Sequence, residues 1–415
     1  MSDAFAPTLA AAQARIAAVQ PAAYARTRNA LDGAVTGLSP YLTHGLVSLA
    51  GVLAGVTVRH PLDVQHRFVF ELGWRAYFRH VWQHRGDGIL SSLHQGLLPD
   101  EAYAAELPAD IRAGCTGVPV VDQAVRTLYA TGMLHNHARM WLASYVVHVR
   151  KVHWRAGADW LYAHLLDGDL ASNHLSWQWV AGTGSRKPYL FNADNVARYA
   201  PAPWHSPGSV IDTSYEALDL LARHPAPPPP PPSLMPAAPT GLAHADLPTR
   251  HAGAIEPGLR AVPPEAAGCI TPHAALVQGR HVWLIHPWCL GPLPANLPPD
   301  TLVIGVLVAE FHQRWPWSER RWHFVGSRMA ELASPVWYAE AATIGAALAG
   351  ARSVRSMAEP HLAQWLPRWA ECAAAPALFA PVDRRFDAFS PWWVHSTRGL
   401  RSAADLLAVH QAPAC

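Results

Sequence analysis

Six polar residues stand out by type and spacing in one apolar stretch between Gly114 and Gly184: His135, Asn136, Arg139, Asp167, Asp169 and Asn173, interleaved with Trp154, Trp177 and Trp179. An arginine mid-helix, two acids in one turn and an asparagine one helical turn from a tryptophan are more polar groups than a plain helical core tolerates. A buried arginine–carboxylate pair there is either a tie between helices or the charged lining of a site. A second constellation is Thr36-Gly37-Leu38-Ser39-Pro40, a hydroxyl-bearing turn before a helix start. Free backbone N–H groups and the positive dipole end make such a turn either a phosphate site without a lysine or an ordinary capped helix. In a third, Glu71, Trp74 and Phe78 recur at i, i+3, i+7 and set a carboxylate beside an indole, most often a feature of a helix rim.

The elements that must position these groups are helices. Gly117-Val-Pro119 opens a run in which Val121, Ala124, Val125 and Leu128 recur at helical spacing, and Gly132 ends it. A second helix is expected from Leu134 to about Arg150, with Asn136, Met140 and Ala143 on one stripe and His135, Arg139 and Leu142 on the next. A third begins after Asp167-Gly-Asp169. Pro61 to Arg85 reads as a long helix starting at Pro61 and closed by Gly86, and Ala6 to Val19 as an alanine-rich packing helix.

With 415 residues, half of them apolar, the chain is long enough for two domains. Its formal charge of +2 does not by itself point to nucleic acid. Cys115, Cys269, Cys289, Cys372 and Cys415 form no CxxC pair, which argues against a metal site or a disulfide framework and for a reducing compartment. The apolar run from Leu46 to Val58 is too short to span a bilayer, so a cytoplasmic monomer with no membrane association is expected. Arg223 to Ala243 is a proline tract, expected as an extended polyproline spacer. Beyond it, HVWLIHP and TLVIGVLVAEF read as strands, and RWHFVGSRMAEL, EAATIGAALAG and AEPHLAQWLPRWAECA as helices. That alternation implies a parallel α/β sheet. Trp315, Trp317, Trp392 and Trp393 are expected to pack rather than to line a pocket.

Four pieces in register, TGVPVVDQAVRTL, HNHARM, DWLYAHLLDGDLASN and WQWVAGTG, resemble the FAD-binding domain of the photolyase/cryptochrome family. The resemblance implies a multidomain α and α/β protein. An all-helical FAD-binding, photolyase-like domain would cover residues 1–222, a Pro-rich linker 223–267, and a smaller parallel α/β, Rossmann-like domain 268–415. Family members carry such an α/β domain ahead of the helical one, so this chain looks circularly permuted.

By the same resemblance, Tyr24, Thr36, Leu38, Ser39, Phe68, Arg75, Arg139, Asp167, Asp169 and Asn173 are cofactor-binding. Thr36, Leu38 and Ser39 would hold the FAD pyrophosphate, although Val35 and Gly37 stand where relatives carry a threonine and a basic residue. Arg139, held by Asp167, would stabilise the reduced ring; Asp169 would accept from the ring edge, and Asn173 would face its reactive nitrogen. Glu71, Trp74, Asn136, Met140 and Trp179 match residues around a flipped pyrimidine dimer, where an aromatic platform suits any base. Trp177 and Trp154 match the inner and middle members of an electron relay. Its outer tryptophan is missing, and Tyr103 is the aromatic available in its place. Arg186 and Lys187 would meet DNA phosphates or are a solvated loop. The implied function is FAD-dependent, light-driven repair of pyrimidine dimers in damaged DNA, cyclobutane dimers above (6-4) products because Asn136 stands where relatives acting on the latter carry histidine. The rival is a cryptochrome-like blue-light photoreceptor without repair activity. An antenna chromophore is allowed, but no residue names it.

Overall fold

The computed structural model describes residues 5–225 and 253–411, so most of the proline tract and Cys415 lie outside the described residues. The first part is helical: α1 (Leu9–Ala18), α2 (Pro21–Thr27), α3 (Ser39–Thr43), α4 (Leu49–Thr57), α5 (Arg67–Arg85), α6 (Ala109–Arg112) and α7 (Pro119–Thr131), then α8 (Asn136–Ser144), α9 (Trp154–His164), α10 (Leu170–Ala181), α11 (Ala193–Tyr199) and α12 (Tyr215–Arg223). Local chemistry sets the ends. Pro119 occupies the first turn of α7, and Gly132 closes it in the left-handed conformation at φ 69°. Asp169 caps α10 by accepting from the Ser172 N–H, and Gly182 ends it at φ 77°. His66, His135 and His153 cap α5, α8 and α9 through ring nitrogens that accept the N–H two residues on. Past Ser144 the helix widens into a π-turn, Tyr145–Val149.

The long helix α5 begins at Arg67 rather than Pro61. Residues 61–66 are instead drawn into extended pairing with the C-terminal end of the chain, where Val64 N donates to Arg401 O and Ala403 N to Leu62 O.

The second part carries β1 (Leu259–Arg260), β2 (His281–Ile285), β3 (Leu302–Val308), α13 (Ala309–Arg314), β4 (Trp317–Ser318), α14 (Glu319–Leu332) and β5 (Val336–Ala339), followed by α15 (Ala341–Leu348), β6 (Ser353–Met357), α16 (Leu366–Trp369), β7 (Glu371–Ala373), α17 (Phe389–Ser396) and α18 (Ala403–Gln411). Five strands form a parallel sheet in the order β5-β3-β2-β6-β7, and β1 pairs antiparallel with β4. The segment AEPHLAQWLPRWAECA is helical only in part: its Glu371–Ala373 end is the edge strand beside β6. After the proline tract the chain first returns to the helical part, where Ala254 N donates to Ala113 O and Glu256 receives Trp160 Nε1 at 3.0 Å.

One core runs through both parts, joining Tyr41, Leu53, Val69, Tyr162 and Leu166 to Val282, Ile304, Trp317 and Trp322. A second, inside the helical part, packs Val121, Val125 and Leu128 against Trp141, Leu161, Trp177 and Val180. The turn between α9 and α10, which carries both acids, lies where these cores meet. Trp315, Trp317, Trp392 and Trp393 are all buried, but Trp315 and Trp392 also line a cavity, so the expectation that all four only pack fails for these two. No helix of the described residues is long and apolar enough to cross a membrane.

Candidate functional site

The acid turn, residues 165–169, is held from three sides. Arg139 Nη2 on α8 meets both Asp167 carboxylate oxygens, at 2.9 and 2.8 Å, while its Nε donates to Leu134 O at 3.0 Å. From α3, Thr43 Oγ1 donates to Asp167 O at 3.1 Å, and a ring nitrogen of His44 lies 2.9 Å from Leu166 O. From α14, the buried Arg321 donates to Tyr162 O at 3.2 Å and Gly168 O at 2.6 Å. A Cβ at position 168 would sit 2.5 Å from Arg321 Nη1, so glycine is what lets that guanidinium reach the turn. Burial works to raise the Asp167 carboxyl. The Arg139 guanidinium, with Ser39 and Arg75, outweighs it and holds the group below its ordinary value.

Asp169 is buried at the head of α10. Its Oδ1 accepts Ser172 N at 2.9 Å and Ser172 Oγ at 2.7 Å. Arg79 Nη2 lies 2.7 Å from Oδ2, but out of line for a hydrogen bond, so Oδ2 keeps an acceptor position with no aligned donor. Burial pushes its pKa up, and Arg79 and Arg75 more than reverse this. Asn173 stands one turn further along and donates Nδ2 to Ala158 O at 2.8 Å. Arg75 is tied to the same set through a hydrogen bond to Thr43 Oγ1. Arg139, Asp167, Asp169, Asn173 and Arg75 are thus brought together around one turn.

The Thr36–Ser39 turn joins them: Ser39 stands near enough to the Asp167 carboxylate to help hold its pKa down, Thr36 Oγ1 accepts Leu38 N at 3.3 Å, and Leu38 is buried. Gly37, at φ 61°, has Arg15 Nη1 2.4 Å from where its Cβ would be. A guanidinium from α1 therefore stands beside this turn. Tyr24 packs edge-on against Phe68, ring centroids 5.7 Å apart.

The residues expected around a flipped base are less free than their types suggest. Glu71 Oε1 is 3.3 Å from Arg28 Nε; burial raises its pKa, and Arg28 works against that. One face of Trp74 is stacked on Phe389 of α17, centroids 3.9 Å apart and planes 10° apart. Asn136 is exposed and donates Nδ2 to Met140 Sδ at 3.4 Å. Trp179 is 40% exposed and leans on Tyr189, and the loop after it carries the exposed Arg186 and Lys187.

Trp177 and Trp154 are buried, and Trp177 lies across α9 at Gly157, where a Cβ would meet its ring at 2.3 Å. Trp154 Nε1 donates to Ser92 Oγ at 2.9 Å. His153 stands between Trp154 and Tyr103, with centroids 5.7 and 6.3 Å away. Tyr103 is half-buried.

A cavity of about 1650 Å³ opens between the two parts of the chain. On the sheet side it lies at the C-terminal ends of β2 and β6, where the strand order reverses and doubly wound sheets receive ligands. Trp288, Glu359 and His361 line it there, and Thr43, Arg75 and Arg79 line it from the helical side. Arg139, Asp167 and Asn173 are not in its wall, so it is distinct from the acid turn though adjacent to it. The buried Nε1 atoms of Trp283 and Trp288 and Nε2 of His361 have no hydrogen-bond partner. Among the described residues no His, Cys, Asp and Glu side chains cluster to hold a metal ion.

Residues 68–202, which include Arg75, Arg139, Asp167, Asp169 and Asn173, match the family model for the FAD-binding domain of DNA photolyase. Over this helical region the chain is similar to members of the photolyase/cryptochrome family. Relatives of this family include a deoxyribodipyrimidine photo-lyase of Streptomyces griseus, 39% identical over 152 residues that cover 37% of this chain and 33% of that protein. A cryptochrome DASH of Gloeobacter violaceus is 35% identical over 172 residues, 39% of this chain and 34% of that one. The chain thus spans about a third of the length of these relatives. A solved cryptochrome of Synechocystis sp. PCC6803 aligns over 46% of this chain and 43% of its own, with 30% identity and a TM-score of 0.41.

Sequence reading missed the groups that hold the family residues in place: Arg28 on Glu71, Thr43 and His44 on the turn, Arg79 on Asp169, and Arg321 and Glu359 from the second part. Arg79 alone carried a local signal, lying one turn beyond Arg75 on α5.

Proposed function

We propose that the helical part binds FAD non-covalently at the acid turn and that the protein is a light-driven lyase repairing pyrimidine dimers in DNA, cyclobutane dimers foremost. The observation that carries this is the turn itself. Arg139, whose Nη2 meets both Asp167 oxygens, and a buried Asp169 whose Oδ2 still lacks an aligned donor, suit a ring that presents N–H at its edge and gains negative charge on reduction. Bound there in reduced form, FAD would supply the electron that opens the dimer. Arg139 and Arg75 would balance the added charge, Asp167 would keep Arg139 from turning to solvent, and Ser39 with the Thr36 turn would take the pyrophosphate. Glu71, the outer face of Trp74, Asn136, Met140 and Trp179 would receive the extruded bases, which damaged pairs surrender most readily. Arg186 and Lys187 would add sequence-independent phosphate contacts. Trp177, Trp154 and Tyr103, with His153 between the last two, form the electron path toward the surface. The aromatic cavity at the strand switch is the place for an antenna chromophore.

A second reading, a blue-light photoreceptor without repair activity, is favoured by one contact: Phe389 already occupies a face of Trp74. Purified protein separates the readings. Illumination with ultraviolet-damaged oligothymidine should remove dimers from a flavin-loaded chain; a flavin-loaded chain that leaves them intact supports the photoreceptor, and a chain that takes up no FAD contradicts both.

A further inference from the structure

Arg79 is shared between two buried carboxylates that come from different parts of the chain. Its Nη2 is 2.7 Å from Asp169 Oδ2 in the helical part, and its Nη1 is 2.7 Å from Glu359 Oε1, which follows β6 in the sheet part. Glu359 has little freedom. It caps the turn at Pro360, accepting His361 N at 3.3 Å, and the same oxygen meets His361 Nδ1 at 2.5 Å. His361 in turn is stacked on Trp288, with centroids 4.1 Å and planes 8° apart. The Arg79 guanidinium also lies over Trp82 at 5.5 Å. A guanidinium fixed between two carboxylates divides its charge between them, so what Asp169 receives depends on what Glu359 withdraws.

We propose that Glu359 is a positioning residue for the cofactor site: through Arg79 it sets the position and the effective charge of the Asp169 carboxylate, and with them the relative affinity for the two redox forms of the flavin. This rests on the FAD reading of the acid turn. Glu359 does not touch the cofactor in this scheme and is assigned no part in lesion binding. A purely structural residue would weaken both redox forms alike, whereas one that tunes charge must separate them.

The test uses the full chain with FAD. Oxidised-FAD affinity is read by flavin fluorescence quenching, and the potential of bound FAD by reduction against a reference dye. Glu359→Gln removes one negative charge and leaves Arg79 to Asp169 alone, so binding of the anionic reduced form should gain on the oxidised form by about tenfold. For a two-electron couple that is a rise of about 30 mV. Glu359→Asp keeps the charge and should move the potential less than a third as far in the same direction; it also carries the test if circular dichroism shows the Gln variant unfolded. A potential unchanged in both variants, or equal weakening of the two redox forms, overturns the proposal while leaving the FAD reading intact. A wild-type chain that binds no FAD overturns the FAD reading and takes this inference with it.

Discussion

Two faces of α5 are built in opposite ways. Arg75 and Arg79 point into a set of groups in which nearly every donor and acceptor is assigned: Thr43, Asp169 and Glu359 hold them, and the turn beyond is gripped through the carbonyls of residues 162, 166, 167 and 168. Glu71 and Trp74 are partly exposed and carry fewer polar ties: the acid is paired with Arg28, and the indole is stacked on Phe389 and packed against Tyr77 and Phe78. Where charge must be balanced in a dry site, the geometry is fixed in advance by several elements. On the repair reading, the surface left for damaged DNA is one that the chain partly covers itself.

That contrast is broken most directly at Arg139. Arg139→Met strands the buried Asp167 carboxylate, and removing one partner of a buried pair should cost about 3 kcal/mol, at the lower end for such pairs because Arg139 is partly exposed. Denaturant unfolding reads the loss, and FAD uptake should vanish with it.

Phe389→Ala comes next, at about 3 kcal/mol for a buried aromatic whose ring has partners on α5 and α17. If both faces of Trp74 can serve bases, this variant should bind ultraviolet-damaged oligothymidine several-fold more tightly than the native chain at the same salt; unchanged weak binding would favour the photoreceptor reading.

Acid should separate the two faces through their carboxylates. Glu359 is held down at about 2: burial opposes this, and Arg79 and His361 outweigh it. A depressed carboxyl contributes stability that is present above its unfolded value, near 4.5, and is lost as pH falls through the folded value. The loss between pH 4.5 and 2 should amount to roughly 3 kcal/mol for this group. Glu71, whose pKa burial raises, carries the opposite sign and should favour folding as it is protonated. Urea midpoints from pH 7 to 3, flatter in Glu359→Gln, check the first statement.

The smallest effect belongs to the exposed loop. Arg186→Ala and Lys187→Ala should each leave stability within about 0.5 kcal/mol. On the repair reading each should lower the salt slope of binding to single-stranded damaged oligonucleotide by about 0.7.

What the chain announced about itself divides along a similar line. The helices α7 and α10 were legible because Pro119, Gly132 and the Asp167-Gly-Asp169 turn are local signals. The parallel sheet was legible from β-branched runs alternating with amphipathic ones. The start of α5 was misplaced because Pro61 is a good first-turn residue, while the competing pairing with residues 401–403 comes from more than 300 positions away. Edge strand β7 was hidden in a helical pattern because its strand character comes from pairing with β6, not from its own residues. In the site, residues carried by the matching motifs, such as Arg139 and Asp167, could be proposed together through the resemblance. Thr43, Arg321 and Glu359 could not, because a threonine, an arginine and a glutamate show their partners only once two separate parts of the chain are packed.

Whether the acid turn is a flavin site is read from the visible absorption of the purified chain, with released FAD counted against chain concentration. Flavin bands with about one FAD per chain are expected, retained by Lys187→Ala and lost in Arg139→Met. A colourless wild-type protein that stays colourless after incubation with excess FAD would contradict that assignment.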